Sequence, residues 1–294
     1  MNESHHHAAV HAALEKPFGS PFRLAINTSL NTLCVIVSIA VLIPLFSIVW
    51  LVIQKGAPLL SWQLFSQLPP APGNTGGGFG NAMLGTAMMV GCALLMASPI
   101  GILSAIYICE YAPTSQLAGY VRFTSKLLTG IPSIICGVFA YAVVVQTTGS
   151  FSAFAGSVAL AVLALPTIII TTEQALLGVP RTYREASYGL GASRFQTIWR
   201  AVLPEALPAI MTGLMLALAR AAGETAPVLF TALFNAYWNT SPMQPTASLA
   251  VLIYTYASLP YDYQIQMAWT ASLILVALVT VANVTAQVMF RQRT

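Results

Sequence analysis

Six long apolar runs, separated by short polar stretches, constrain this chain of 294 residues more than any other feature. They fall at about 31–53, 82–108, 127–147, 152–172, 207–234 and 265–289. About 20 predominantly apolar residues suffice for a helix to cross the hydrocarbon core of a bilayer. In lipid the backbone must satisfy its own hydrogen bonds, so each run is read as a helix. Only 7% of the residues are charged, against about 25% in a soluble domain. The expected fold class is therefore an all-α polytopic membrane protein with six transmembrane helices. A tail over 1–30 precedes a single transmembrane domain over 31–290.

The basic residues fix an orientation. Lys16, Arg23, Arg122, Lys126, Arg181, Arg184, Arg194, Arg200, Arg291 and Arg293 fall on one side of the six-span topology, and Lys55 alone falls on the other. Positive charge accumulates on the cytoplasmic side, which predicts that both termini are cytoplasmic. The first apolar run follows a polar tail and lacks a small-residue cleavage site, so it reads as a retained span.

The functional classes that need clustered nucleophiles or metal ligands find little support. The histidines are His5, His6, His7 and His11, all in the tail, which reads as a solvated segment. Cys34, Cys92, Cys109 and Cys136 form no C-x-x-C pair and suggest neither zinc nor disulfides. No H-E-x-x-H occurs. No G-x-x-x-x-G-K-[ST] occurs either, so ATP chemistry must come from another chain.

The outer loops differ in character. Residues 56–80 contain Leu68-Pro69-Pro70-Ala71-Pro72 followed by Gly76-Gly77-Gly78 and read as a flexible, irregular loop. Residues 235–264 hold an apolar run around 247–259 that is too short to span. It either lies in the interface or packs on the bundle, with Tyr254, Tyr256, Tyr261 and Tyr263 suited to the headgroup level. Pro99, Pro132 and Pro166 read as ordinary membrane-helix prolines, and Pro227 as a break.

The cytoplasmic loop 173–206 is too polar and too patterned for a linker. Thr182 and Glu185 have capping-box spacing, predicting a helix from Tyr183 to about Leu190 that Gly191 ends. Ser193 and Gln196 form a second box, opening a helix from Arg194 to Leu203 that Pro204 ends. Phe195, Ile198, Trp199, Val202 and Leu203 lie on one face of it. A folded loop of this size calls for a protein partner.

The fifth run carries Arg220 and Glu224 near its middle. A charge there costs about 2.5–3.5 kcal/mol on insertion scales, and such residues mark transport paths. Spacing of four places the two on one helix face, where they can pair. Pro227 removes the donor for the Gly223 carbonyl, and glycine bends readily, so the helix is expected to break there. Arg220 offers a fork of donors to an oxyanion, and Glu224 balances it when the site is empty. A buried ion pair that only fixes packing is the alternative, and a proton-linked secondary transporter is another.

Glu185-Ala186-Ser187, then Gly191, then Leu203-Pro204 resemble the EAA loop of bacterial ABC importer permeases. Ser187 stands in the third position of the triplet, and Ala201 stands where Ile is usual. Arg220-Ala-Ala-Gly223-Glu224-Thr225-Ala-Pro227 is similar to the signature of phosphate importer permeases, as are Gly130-Ile-Pro132-Ser133 and Glu110-Tyr-Ala-Pro113. These runs favour the PstA-type permease family.

The resemblance implies the type I ABC importer permease fold, in the bacterial inner membrane. It implies that Arg220, Glu224 and Thr225 lie on the translocation path of an ATP-driven phosphate importer. Glu185, Ala186, Ser187, Gly191, Leu203 and Pro204 would couple to the ATPase, and Gly223 with Pro227 would form the break. No cofactor is implied for this chain; ATP and Mg belong to the partner ATPase. The implied partners are a second, PstC-type permease, two PstB-type ATPase subunits and an external PstS-type phosphate-binding protein. The positive site by itself admits sulfate or molybdate as readily as phosphate.

Overall fold

The computed structural model describes residues 21–290. The tail histidines and the basic residues Lys16, Arg291 and Arg293 lie outside the described residues. The chain divides at Leu51 into two compact units. The first described helix, α1 (Pro21–Gly56), begins about ten residues before its apolar run and carries Pro44 within it.

Beyond residue 51 the long helices are α2 (Gly80–Ile106), α5 (Ala153–Gly178), α8 (Leu203–Gly223) and α11 (Asp262–Met289). Together with α1, five helices are long and apolar enough to cross a membrane. The sixth expected span is a bent pair. Helix α3 (Gln116–Gly130) turns by 106° into α4 (Ser133–Ala140), which runs on through a wide turn to Thr148. The turn sits at Ile131 and Pro132, both extended. Pro132 is thus a break and not an ordinary packing proline, and the span expected over 127–147 is instead a bent pair over 116–148. The proline has no N–H to donate and pushes the residue before it out of the helical region.

Helix α2 lies against α5, α5 against α8, and α8 against α11. Small residues permit this. Ala93, Ala97, Ala105, Ala159, Ala164, Ala217 and Ala221 are all buried. With lipid on the outside, close backbone approach and dispersion hold helices together, which is why small side chains fill such seams. Gly213 of α8 meets α5 so closely that a Cβ there would sit 2.3 Å from the Thr171 hydroxyl.

The two loops at 56–80 and 235–264 are both structured. Residues 57–79 hold a 3-10 turn at Ala57–Leu59 and one helical turn at Gln63–Ser66, are irregular beyond it, and are pinned: Gln264 donates to the carbonyls of Ala71 and Asn74, and Phe79 is wholly buried. Helix α10 (Leu249–Ala257) packs on the bundle, burying Leu249, Val251 and Leu252. Tyr254 and Tyr261 remain exposed, whereas Tyr256 is buried and donates to Pro70 instead of reaching a headgroup level.

The loop between α5 and α8 is helical and smaller than its predicted extent, because α5 runs on to Gly178. Helix α6 covers Arg181–Gly189 and α7 Arg194–Thr197. A wide turn over Ile198–Val202 then carries α7 straight into α8. Pro204 does not end the helix as expected, and the helix runs on through Pro208 as well. Leu203 donates to Ile198, five residues back, and this loosened turn receives the proline ring without the usual clash. One 30-residue rod therefore runs from Arg194 to Gly223.

Candidate functional site

Helix α8 stops at Gly223, and Glu224 is already extended (φ −74°, ψ 127°). The expected break is present. The two charges do not share a helix face: Arg220 occupies the last turn of α8 and Glu224 lies just beyond it. Arg220 Nε stands 3.6 Å from Glu224 Oε1, beyond hydrogen-bond length. Arg220 donates no hydrogen bond to any described residue, so its whole fork remains available. Its side chain is 38% exposed, against 17% for Glu224. The pair is a loosely held charge balance, unlike a packing clamp, in which the arginine's donors would be consumed.

The break is held from behind. Thr225 follows Glu224 and accepts, through its carbonyl, from the Leu229 N–H at 2.9 Å. Helix α9 (Ala226–Leu229) then opens with Pro227 in its first turn. Pro227 is buried against Gly137 of α4, where a Cβ would come within 2.6 Å of the proline Cα. Gly137 was not singled out in the sequence; only its placement inside an apolar run hinted at a close approach. Gly223 has open space around it and no positive φ, so the break does not depend on its being glycine.

The helical loop forms the second part of the site. Helix α6 has no side-chain cap: Pro180 occupies the N-cap, and Thr182 lies inside the first turn. The predicted box at Thr182 and Glu185 is absent, because the helix starts at Arg181, two residues before Tyr183. Its end follows expectation. Gly191 is left-handed (φ 81°) and donates to Tyr188, while Ala192 donates to Ser187, the two bonds that close a helix behind a glycine. The Ser193–Gln196 box is complete. Ser187, the departure in the triplet, shares a 2.9 Å hydrogen bond with Thr197 and so joins α6 to α7.

Glu185 and Ala186 are exposed, as are Tyr183, Tyr188 and Leu190. The predicted apolar face of α7 splits in two. Ile198 and Val202 are buried against Leu176, Val179 and Ile210. Phe195 and Trp199 stay outside, with ring centroids 5.8 Å apart.

Two arginines, Arg184 and Arg194, tie this loop to the bundle, and a third, Arg122, joins α3 to α5 and to the end of α2 beside it. Arg184 sets its guanidinium on Glu110, with Nε 3.2 and 3.3 Å from the two carboxylate oxygens. It also donates to the carbonyls of Leu176 and Val179 at the end of α5. Arg122 pairs with Glu173 at 2.5 Å and donates to Ile108 and Pro113. Arg194 donates to the Glu110 carbonyl and stands 5.3 Å over the Tyr111 ring. Each cation thus meets carbonyls that a helix end leaves unpaired, where its charge also suits the helix dipole. In the sequence these arginines looked like orientation signals or partner contacts. The cue to their internal role was the pair of acids, Glu110 and Glu173, at the ends of apolar runs.

The comparisons agree with this architecture. Residues 97–293 match the family model described as binding-protein-dependent transport system inner membrane component. A phosphate transport system permease protein PstA of Yersinia pestis is 38% identical over 90% of this chain and 90% of its own length. One from Haemophilus influenzae is 40% identical over 87% and 91%. A probable PstA of Methanocaldococcus jannaschii is 34% identical over 80% and 83%. Among solved structures, an inward-facing conformation of the MetNI methionine ABC transporter superposes with a TM-score of 0.56 at 24% identity, covering 71% of this chain and 92% of that one. That likeness carries the fold alone. The chain belongs to the binding-protein-dependent transport system inner membrane component family.

Proposed function

We infer that this chain is the membrane-spanning permease subunit of an ATP-driven importer of inorganic phosphate. The observation that carries the reading is Arg220, a guanidinium with its donors unspent in the last turn of α8, at a helix break beside a loosely paired Glu224. Five planar donors match phosphate oxygens in pairs. The names of the relatives supply the choice of phosphate among oxyanions. An incoming phosphate displaces Glu224 from Arg220. When the anion leaves, Glu224 returns and spares Arg220 an uncompensated charge in the membrane.

In this reading the loop end of the bundle is cytoplasmic, and so are both termini. Glu185 and Ala186, with the exposed rings of Tyr183 and Tyr188, present α6 to an ATPase subunit of the PstB type. ATP and Mg act there. Thr225, Gly223 and Pro227 shape the path at the break. Ser187, Gly191, Leu203 and Pro204 keep the docking helices in register with α8. A PstC-type permease completes the path, and a PstS-type binding protein delivers phosphate from outside.

The test is transport by the complete importer in liposomes containing external binding protein and internal ATP. Phosphate accumulation by the unaltered complex, lost in Arg220→Gln and Glu224→Gln while all subunits still co-purify, is the expected result. Normal rates in both variants would remove Arg220 and Glu224 from the path. Accumulation of sulfate or molybdate in place of phosphate would reassign the substrate. Phosphate uptake by this chain alone under a pH gradient would favour a secondary transporter.

A further inference from the structure

Helix α8 presents one stripe along its length, with Ala209, Leu216 and Arg220 exposed and Gly213 buried against Thr171. Ala209, Gly213, Leu216 and Arg220 follow one another at spacings of four, three and four, so they lie in line. Below Arg220, toward the loop end, that stripe opens into a crevice of about 530 Å³. Helix α5 contributes Thr171 and Gln174 to it, α8 contributes Thr212, and α11 contributes Asn283 and Gln287. At about 1.5 Å per residue, Thr212 lies about 12 Å from Arg220 along the helix axis.

The hydrogen bonding in the crevice is uneven. The Thr171 hydroxyl donates back to Thr167 at 2.8 Å and that of Thr212 to Pro208 at 3.0 Å. Both threonines have spent their donors. Gln174, Asn283 and Gln287 donate to no described residue. Three primary amides with six free N–H donors thus converge from two helices, Gln174 and Gln287 exposed and Asn283 half-buried. An amide moved into hydrocarbon without partners costs several kcal/mol, so these side chains face water or an acceptor. What the crevice offers is donors without charge.

We propose that this crevice is the exit half of the oxyanion path, in which a phosphate leaving Arg220 passes onto the amide N–H groups of Gln174, Asn283 and Gln287. The inference rests on the phosphate-import reading above. A guanidinium holds an anion by charge-assisted bonds roughly twice as strong as neutral ones. A step from one arginine to three neutral amides is therefore a step down in grip. Conduction needs that descent, since a second arginine at this level would hold the ion back. The amides replace the water that phosphate sheds and add no charge to trap it.

The test uses the complete importer in liposomes with three variants of this chain: Gln174→Leu with Asn283→Leu, Asn283→Asp, and Gln287→Leu. The double leucine variant is expected to lower phosphate uptake about tenfold, the size of effect a lost hydrogen bond to an anion gives. The second permease should still co-purify in normal ratio. Asn283→Asp, nearly the same in shape, should slow uptake at neutral pH and recover as the carboxylate is protonated in acid. Uptake at the unaltered rate in all three variants overturns the proposal. So does loss of the second permease from the purified complex, which would make the amides hydrogen bonds across a subunit interface. An unaltered complex that carries no phosphate overturns the function reading itself; an unaltered complex that carries it, with variants that match, overturns only the exit path.

Discussion

Gly137 and Pro227 touch backbone to backbone: a Cβ on the glycine would lie 2.6 Å from the proline Cα and 3.1 Å from its carbonyl oxygen. Two broken helices, α3–α4 and α8–α9, meet at this contact, and the charges of Arg220 and Glu224 stand beside it.

Gly137→Ala is therefore expected to destabilise the protein by about 1–3 kcal/mol, the range for overpacking, despite alanine's better helix propensity. Gly223→Ala, with open space around it, should leave the unfolding temperature in detergent within a degree or two, corresponding to a few tenths of a kcal/mol. Equal midpoints for the two variants would refute the assignment of Gly137 as the contact that fixes the break.

Arg184 and Glu110 predict a non-additive pair. Their side chains are 20% and 10% exposed, and removing one leaves the other a buried charge. Arg184→Met should cost about 3 kcal/mol. The double change with Glu110→Gln should cost less than the single one, because it removes the stranded carboxylate. A double-mutant cycle on thermal unfolding gives the answer; additive losses would mean that the carbonyls of Leu176 and Val179, and not Glu110, are what Arg184 serves.

At the break, Arg220→Lys keeps the charge and removes the fork. If the planar donors grip the oxyanion, phosphate uptake should fall at least tenfold while the complex assembles normally, since a point charge replaces a bidentate one. Retention of full rate in Arg220→Lys would mean that charge alone suffices.

Ser193→Ala removes a complete capping box and should cost about 1 kcal/mol of local stability. Hydrogen exchange of the amides at 194–197 would speed by about fivefold. Thr182→Ala, whose predicted cap is absent, should change nothing measurable at α6.

The helix count, the break near Glu224, the stop at Gly191 and the Ser193 box were legible because each depends on a few neighbouring residues. An apolar run of span length leaves lipid-soluble helix as its main reading, and serine with glutamine three residues on closes a helix end by itself. The Thr182 box failed because the helix starts two residues earlier than Tyr183, where Pro180 with extended backbone took the N-cap. Pro204 failed as a stop because the wide turn at Ile198–Val202 accommodates it, a device with no composition of its own. The roles of Arg122, Arg184 and Arg194 depend on acids and carbonyls far away in the chain, and so no local pattern carried them. The same is true of the amides Gln174, Asn283 and Gln287, which come together only once α5 and α11 flank α8.

The wide turn has a consequence for angular bearing. Fitting one additional residue into the rod changes the azimuth of everything beyond it by about 100°. Arg220 faces its stripe only in the phase that this turn imposes. Were the turn to tighten to a regular one under load on α6 and α7, the guanidinium would swing away from the crevice between α5 and α11, with no change in the length of the rod. The rod would then act as a twisting shaft, and the partner's pull would be read at Arg220 as a change of heading.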